Sequence, residues 1–451
     1  MKTRFLTLVV ISLIFTLLSA ASAATKIVSV EPSNDAPNIC PDTLLRLAFD
    51  APPVLGRTGQ IRITNASGQL ADIIDLAAND SHNAQPRAIA GMTFTNYPIL
   101  ISSNTALVCP HAGALKYGQT YRISIDPGVF EGVSNLPAWT IHTRRDGPAI
   151  SAEKLTVAAD GTGDFCTVQG AIDFVPAGNS QPRDIFIRKG VYQEIVCVTN
   201  KHHLTFRGED RRQTIIQYAN NENFNYRGLK RNIYRQTFGV EADDFHLENL
   251  TLRNTTAKGG SQAEALRVDG QRCIIENVDF YSLQDTLKLS GTVFVRNCYI
   301  EGDVDFIWGY GTCYFTNCEI KTVNSGACVT QIRNDDSHFG DVFVNCRLTK
   351  APGVSNAILS RIEPNRFPYS HVAWINCAMD DHVRPVAWSV MRNTNSLATL
   401  RFWEYHTTDL AGARVDVTKR AEFSKQLSDS EAAQMRDAKY VFGGWLPLVG
   451  R

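Results

Sequence analysis

A pattern of apolar and polar positions centred on an asparagine recurs along the second half of the chain. Each copy has a short apolar run, an Asn followed by a small apolar residue, and a second apolar run. The asparagines of the six copies are Asn249, Asn277, Asn297, Asn317, Asn345 and Asn376, so consecutive copies lie 20 to 31 residues apart. A unit repeated at such a period stacks on its neighbours, and the pattern therefore predicts a solenoid with one coil per copy.

The residue after each asparagine indicates what the coils enclose. It is Leu250, Val278, Cys298, Cys318, Cys346 or Cys377, as expected at an inward-facing core position where a free Cys packs as a small apolar group. A metal cluster is the alternative, but the copies contain no Cys-x-x-Cys pair, and those that contain a Cys have no His beside it. The asparagines are predicted to turn a corner and to stack at the strand spacing of about 4.8 Å, with their amides hydrogen-bonded in a ladder. Because parallel crossovers are right-handed, we predict a right-handed parallel β-helix.

The first part of the chain has a different pattern. From Thr25 to Thr143, short strand-like runs at 26–30, 44–49, 60–64 and 121–125 are separated by Pro, Gly, Asn and Asp, which predicts a β-sandwich. This pattern resembles bacterial immunoglobulin-like modules. After a polar linker at 144–148, a strand near Leu155 and an amphipathic helix over 167–174 are expected. The prediction is an all-β chain with a small β-sandwich at 24–146 and the β-helix at 147–451.

The amino terminus and the cysteines bear on the compartment. Lys2 and Arg4 precede an apolar run at 5–18 and a small-residue cleavage site at 21–23, which predicts a signal peptide over residues 1–23. The alternative is a retained anchor, although the run falls short of the roughly 20 residues that span a bilayer. In an oxidising compartment a Cys40–Cys109 bridge is one expectation, and two independent thiols are the other. We expect a secreted monomer with no membrane span in its mature form.

Charge excludes one class of partner. Without Lys2 and Arg4 the chain has 43 basic residues against 45 acidic ones, a net charge of −2. No global field attracts a polyanion, so nucleic acid is not an expected partner.

Four segments place carboxylates and amides where strand-rich coils favour apolar or β-branched residues: 262–266, 284–287, 303–309 and 359–361. Asp285 and Asp305 are 20 residues apart, which is one coil. Neighbouring coils bring such positions to roughly 5 to 7 Å on one face, close enough to share a substrate.

These segments resemble the pectin methylesterases, and the resemblance runs from about Leu155 to the carboxyl terminus. The motifs at 160–165, 190–194, 262–266, 284–287 and 305–309 match the family in order. The resemblance implies that Asp305 is a carboxylate nucleophile, kept ionised by Arg361, and that Asp285 is the acid and base, pushed towards protonation by a like charge. It implies oxyanion donors in Gln262 and Gln284 and no metal or cofactor.

The substrate subsites are expected to contain aromatic rings, since sugar faces stack on them. The candidates are Tyr234, Trp308 and Trp388, either tryptophan being a core residue in the alternative reading. Lys288 replaces a family tyrosine and either binds a galacturonate carboxylate or faces solvent. Ile362-Glu363 stands where the family has Pro-Trp. Glu264 and Glu194 are expected to be structural residues paired within the coils.

The expected activity is hydrolysis of the methyl esters of polygalacturonate, giving pectate and methanol. One alternative is a carboxyl-ester or thioester hydrolase acting on another acyl group. Another is a non-catalytic pectin-binding wall protein. A pectin lyase or glycoside hydrolase on the same fold needs a calcium-binding carboxylate cluster or Asp-Asp and Gly-His-Gly neighbours, which are not placed on these coils.

Overall fold

The computed structural model of the protein describes residues 25–78, 83–225, 235–392 and 397–448. The predicted signal peptide and Tyr234 lie outside the described residues. Nearly all regular structure in the described part of the chain is strand, as the repeat predicts. Among the described residues no helix combines the length and the apolar character that crossing a bilayer requires.

The amino-terminal strands, in chain order, are β1 Ile27–Glu31, β2 Ala36–Ile39, β3 Leu45–Phe49, β4 Gln60–Asn65, β5 Leu70–Asp75, β6 Gln85–Ile89, β7 Met92–Asn96, β8 Ile99–Ser102, β9 Thr105–Val108, β10 Thr120–Ile125 and β11 Ala138–Thr143, with a 3-10 turn at Leu76–Ala78. They form two sheets, of order β1-β3-β9-β8 and β2-β11-β10-β4-β5, and a separate hairpin of β6 and β7. The inward-facing residues of the two sheets share one apolar core. The predicted β-sandwich is therefore present.

The remaining strands, in chain order, are β12 Lys154–Val157, β13 Arg183–Ile187, β14 Gly190–Gln193, β15 Val196–Thr199, β16 Leu204–Gly208, β17 Thr214–Tyr218, β18 Phe238–Glu241, β19 His246–Glu248, β20 Thr251–Asn254, β21 Leu266–Val268, β22 Cys273–Glu276, β23 Asp279–Tyr281, β24 Leu287–Leu289, β25 Thr292–Arg296, β26 Tyr299–Gly302, β27 Val304–Gly309, β28 Thr312–Thr316, β29 Glu319–Thr322, β30 Cys328–Ile332, β31 Asp341–Val344, β32 Arg347–Lys350, β33 Ile358–Ile362, β34 His371–Ile375, β35 Ala378–Met379, β36 Trp388–Val390, β37 Arg401–Tyr405 and β38 Ser424–Gln426. The helices are α1 Val168–Phe174, α2 Asp429–Met435 and α3 Ala438–Val441.

These strands wind into a right-handed parallel β-helix with three faces. Sheet A has the order β12-β13-β16-β19-β22-β25-β28-β31-β34-β37-β38, sheet B the order β14-β17-β20-β23-β26-β29-β32-β35, and sheet C the order β15-β18-β21-β24-β27-β30-β33-β36. Eight successive coils contribute one strand to each sheet, and β12, β37 and β38 extend sheet A beyond them. The pairings within the three sheets are parallel. A single apolar core runs along the inside. The outward face of sheet C carries the candidate site.

The asparagines turn the corner between sheets A and B, as predicted. All six have positive φ angles, from 53° to 58°, in the left-handed region that Asn tolerates better than most residues. The residues that follow them are buried, and Cys298, Cys318, Cys346 and Cys377 are free thiols within the core. The predicted amide ladder is found at one step, where Asn277 donates to Asn249 at 2.8 Å.

The expected Cys40–Cys109 bridge is not formed: both cysteines are free thiols, and both are buried. The Sγ of Cys40 instead lies against the carbonyl oxygens of Gly161 and Gly163, at 3.8 and 3.6 Å, in the first turn of the second part. The alternative expectation of two separate thiols is correct. Cys40 thus belongs to the junction between the sandwich and the β-helix.

One carboxylate joins the two parts directly. Asp42 of the sandwich accepts hydrogen bonds from the backbone N–H groups of Cys166 and Thr167 and from the Thr167 hydroxyl, all at 2.8 to 3.1 Å. Glu194 of the β-helix accepts from the next two N–H groups, those of Val168 and Gln169. The first turn of α1 is therefore capped by two carboxylates, one from each part.

Candidate active site

Asp285 and Asp305 lie on adjacent coils, where the chain enters two neighbouring strands of sheet C, β24 and β27. Asp285 lies two residues before β24, and its backbone N–H donates to the carbonyl oxygen of Val304 at 3.1 Å. Two residues further along, Leu287 pairs with Ile307. The two aspartates therefore occupy equivalent positions one rung apart and are 6% and 8% exposed.

Both aspartates adopt unusual backbone conformations. Their φ angles are 68° for Asp285 and 46° for Asp305. The pairing of β27 with β30 shifts register between Val304 and Ile307, which is a β-bulge around Asp305. Bulges re-aim side chains, and residues held at positive φ often mark functional sites.

Asp305 is held as one half of a bidentate ion pair. Nε and Nη2 of Arg361 donate to its two carboxylate oxygens at 2.8 and 2.7 Å. Gln331 adds a third bond, from Nε2 to Oδ2 at 3.0 Å. The bidentate guanidinium orients the Asp305 carboxylate and stabilises its ionised form.

Asp285 has different surroundings. Its Oδ2 accepts a hydrogen bond from Nη2 of Arg235 at 2.8 Å. Burial raises the pKa of Asp285 well above its usual value, and the nearby charges of Glu264 and Asp305 raise it further. The sequence reasoning attributed the raised pKa to a like charge, whereas the largest cause is burial. The contact with Arg235 was not foreseen.

Gln262 and Gln284 flank the pair of aspartates on successive coils. The backbone carbonyl of Gln284 accepts from the N–H of Ala263 at 3.1 Å, which ties the two segments together. The Oε1 of Gln262 accepts from the Ser261 hydroxyl at 2.6 Å. Within the described part of the chain neither side-chain NH₂ group donates to a protein acceptor, so both are available to a substrate oxygen.

The structure places the predicted subsite residues unevenly. Trp308 is 3% exposed, and the guanidinium groups of Arg235 and Arg333 lie over its ring at 5.4 and 4.7 Å from the ring centroid. Trp388 is 1% exposed and stacks on Phe402 inside the β-helix, which makes it a core residue. The prediction for Tyr234 lies outside the described residues.

Lys288 does not face solvent. It is 6% exposed and its ammonium group is paired with Asp269 of the preceding coil. Burial lowers its pKa, and the adjacent Arg267, which also binds Asp269, lowers it further. The carboxylate that Lys288 binds in this structure is thus internal to the protein.

Several residues of the site were missed by sequence reasoning. Arg333 hydrogen-bonds Oε1 of Gln331 and lies over the rings of Trp308, Tyr310 and Phe367. Tyr310 is 42% exposed and packs edge-on against Trp308 and Phe367. The signal available in the sequence was a second aromatic residue two positions after Trp308.

Two groups of described side chains have metal-ligand geometry, and neither lies in the cleft. One comprises Cys40, Asp42 and Cys166 at the junction, and the other comprises His246, Glu248 and Glu276 on sheet A. The Asp42 oxygens already accept hydrogen bonds from α1. The two carboxylates of the cleft each bind an arginine, Asp305 binding Arg361 and Asp285 binding Arg235. Such an arrangement is suited to the stabilisation of charge and to proton transfer.

Comparisons with known proteins match the β-helical part. The pectinesterase family model matches residues 154–444. Pectinesterase 31 of Arabidopsis thaliana is 33% identical over 294 residues, covering 63% of this chain and 91% of the relative. Pectinesterase 1 of Olea europaea is 33% identical over 320 residues, covering 68% and 84%.

Solved structures give the same picture. A pectin methylesterase from carrot superposes with a TM-score of 0.57 at 26% identity, covering 66% of this chain and 95% of that one. A pectin methylesterase in complex with hexasaccharide VII gives 0.56 at 27% identity, covering 66% and 98%. The family match begins at residue 154, so the sandwich lies outside it.

Proposed function

The chain belongs to the pectinesterase family, and we propose that it hydrolyses the methyl esters of pectin through an aspartyl acyl-enzyme formed on Asp305. One observation carries the assignment of roles. Two carboxylates on adjacent coils have opposite environments, Asp305 in a bidentate pair with Arg361 and Asp285 buried with a raised pKa. Such a separation assigns one carboxylate to nucleophilic attack and the other to proton transfer.

In the first half-reaction a carboxylate oxygen of Asp305 attacks the ester carbonyl carbon. The negative oxygen of the tetrahedral intermediate accepts hydrogen bonds from the amides of Gln262 and Gln284. The C–O bond to the methoxy group then breaks, Asp285 donates its proton to the departing oxygen, and methanol leaves. The product is a mixed anhydride between Asp305 and the uronate.

The second half-reaction reverses the proton transfer. Asp285, now ionised, takes a proton from water as that water attacks the uronyl carbonyl of the anhydride. Cleavage of the anhydride restores the Asp305 carboxylate beside Arg361 and releases the uronic acid, which loses its proton to solvent and becomes the uronate. Asp285 is again protonated, so the cycle needs no external acid.

The substrate is a methyl-esterified polygalacturonate. The exposed ring of Tyr310, with Phe367 and Arg333 beside it, supports a cleft wall that stacks on sugar faces and binds uronate carboxylates. Trp308 supports this wall from beneath. Lys288 and Trp388 are buried, the first in its pair with Asp269 and the second against Phe402, so neither is proposed to contact the sugar.

The sandwich and the leader bear on where the protein acts. We infer that residues 24–146 form a module of the bacterial immunoglobulin-like type, supported by the short strands and by two sheets whose pairings are antiparallel except that of β2 with β11. The leader-like residues 1–23 support export to a compartment where a polysaccharide substrate is encountered. We propose that the protein acts there as a monomer.

The activity is tested with highly methylated pectin in the presence of EDTA, by following methanol, reducing ends and the absorbance of unsaturated uronides together. We expect methanol alone. Reducing ends without unsaturation would indicate a glycoside hydrolase, and absorbance of unsaturated uronides would indicate a lyase. Absence of all three would favour a binding protein or another acyl substrate.

The nucleophile is tested by Asp305→Ala, which should reduce methanol release to background. Asp303→Ala is the matched control, since Asp303 lies two residues away, is similarly buried and binds Asn324. The control should keep most of the activity. Full activity in Asp305→Ala would contradict the assignment.

A further inference from the structure

We propose that Glu264, acting through Arg235, keeps Asp285 in its protonated form, so that Glu264 is a positioning residue that sets the working pH range of the acid. The inference rests on the proposed function, in which Asp285 is the proton donor. It extends that function to two residues beneath the reacting atoms. In the sequence, Glu264 had been interpreted as an ordinary structural partner.

The geometry that carries the proposal is the sharing of one guanidinium among three carboxylates. Nε of Arg235 donates to both oxygens of Glu264 at 2.8 and 3.0 Å. Nη1 donates to Glu222 at 2.8 Å, and Nη2 donates to Asp285 at 2.8 Å. The Arg235 side chain is 7% exposed, Glu264 0% and Asp285 9%, while Glu222 is 18% exposed and borders the solvent.

A count of charges shows that this cluster needs a proton. One guanidinium offsets one carboxylate, and two further buried or half-buried carboxylates remain. An unpaired ionised carboxylate in a low-dielectric site is costly, and the usual response is protonation. One of the three acids is therefore expected to be neutral.

The surroundings of each acid identify which one is neutral. Glu264 binds Nε with both oxygens, and Glu222 is solvated at the border. Asp285 has a single bond to Arg235 and lies one rung from the Asp305 carboxylate. The other charged groups near Asp285 are Arg333 and Arg361, and Arg361 is already paired with Asp305.

The hydrogen bond from Arg235 also selects the oxygen that carries the proton. It occupies Oδ2, and within the described residues Oδ1 makes no hydrogen bond. The proton therefore resides on Oδ1, which is free to meet the departing methoxy oxygen. Without Glu264, the full charge of Arg235 would fall on Asp285 and favour its ionised form.

The experiment is the pH dependence of kcat/KM for methanol release by Glu264→Gln. Gln keeps an oxygen for Arg235 and removes the negative charge. We expect the alkaline limb, where the acid loses its proton, to move down by at least about one pH unit, with activity on the acidic side of the profile within a few-fold of the unmodified protein. A uniform loss of activity with an unmoved limb, or an upward shift, would overturn the proposal.

Two control variants accompany the test. Glu222→Gln removes the more solvated partner of Arg235 and should shift the limb in the same direction by a smaller amount. Glu241→Gln changes an exposed carboxylate that approaches Arg267 at 3.7 Å on the same sheet, and it should leave the limb in place. An equal shift in Glu241→Gln would mean that general electrostatics is responsible, which would overturn the proposal.

A direct readout separates this inference from the activity itself. In protein labelled with 13C at aspartate carboxyl groups, the Asp285 resonance is assigned as the one lost in Asp285→Asn and is then titrated. The apparent pKa of Asp285 should fall in Glu264→Gln even if pectin is not the substrate. If Glu264→Gln does not fold, the double variant Arg235→Met with Glu264→Met takes its place. It removes one charge of each sign, so the apparent pKa of Asp285 should stay near its value in the unmodified protein. A large displacement there would contradict the proposal.

Discussion

Arg361 binds both oxygens of Asp305, and this fork is the feature of the cleft that a small change tests best. Lysine keeps the charge at this position but offers a point donor in place of a planar pair. We expect Arg361→Lys to lower kcat about 100-fold through misorientation of the nucleophile, with a smaller effect on KM. Steady-state methanol release measures both constants.

The matched control for this change is Arg366→Lys. Arg366 is exposed and approaches Glu363 at 3.7 Å, five residues from the fork. Its replacement should leave kcat unchanged. Equal losses in the two variants would show that the bidentate pair is not the cause.

At the level of residues, the sequence predicted the partners that follow from coil spacing. Asp285 and Asp305 share one period of the repeat, so their adjacency follows from stacking. Arg235 was missed because it precedes Asp285 by 50 residues, and no repeat relates the two positions. Lys288 was interpreted as facing a ligand or solvent because its pairing with Asp269 depends on the side-chain direction of the preceding coil.

Among the elements, the asparagine corner shows how a single backbone conformation recurs in successive coils. Asn317 has a φ of 54°, is exposed, and within the described residues makes no side-chain hydrogen bond. Alanine at this φ is strained by about 1 to 2 kcal/mol, whereas glycine adopts it freely. We expect Asn317→Ala to lower the free energy of unfolding by that amount and Asn317→Gly to lower it less.

Denaturant unfolding followed by circular dichroism measures the difference between the two variants. An alanine variant as stable as the glycine variant would contradict the role of backbone strain. The same reasoning explains why the corner was predictable from the sequence, whereas the amide ladder was found at one step only. The corner requires a positive φ, which Asn adopts in each coil. The side-chain amides have other partners, namely water and side chains such as Arg211, which donates to Asn277.

Helix α1 contributes a pH-dependent element. Burial raises the pKa of Glu194 to about 7 from 4.5, although the N–H groups that it caps act in the opposite direction. The folded state therefore holds this proton more tightly than the unfolded state. The resulting contribution to stability is fully present below about pH 4.5 and is lost as the pH rises to about 7, at up to about 1.4 kcal/mol per pH unit.

Glu194→Gln should flatten this dependence, because a neutral amide does not titrate. The measurement is the free energy of unfolding at intervals between pH 4.5 and 7 for both proteins. Asp173→Asn, a change in the same helix at a side chain that accepts from Gln169, is the control and should keep the original slope. A wild-type slope in Glu194→Gln would show that other groups produce the pH dependence.

For the whole molecule, the contact between sandwich and β-helix depends on Asp42. Its carboxylate accepts three donors of the α1 entry, and a lost buried acceptor leaves those donors unpaired at a cost of about 1 to 3 kcal/mol. We expect Asp42→Ala to loosen the junction and to speed tryptic cleavage after Arg145, which is 93% exposed in the linker. Gel analysis of a time course measures the rate.

Asp50→Ala is the control for this change, since Asp50 is an exposed carboxylate of the sandwich whose one side-chain partner among the described residues is the backbone N–H of Lys26. It should leave the cleavage rate unchanged.

At the scale of the whole molecule, the sequence predicted two all-β parts and a linker but not how the two parts contact each other. The docking depends on Asp42 and Cys40. Of the two expectations for Cys40, the independent thiol is correct and the bridge to Cys109 is not formed, and the thiol lies against the junction.

The free cysteines stacked in the core provide reporters of how the protein comes apart. Cys298, Cys318, Cys346 and Cys377 lie in four successive coils, and each is buried and unpaired. A thiol reagent reaches each one only when its own coil opens, and a solenoid can open from either end because coils contact only their neighbours. The order in which these four sites become alkylated in the native protein would therefore reveal the end from which the β-helix unwinds, without the introduction of a single foreign probe.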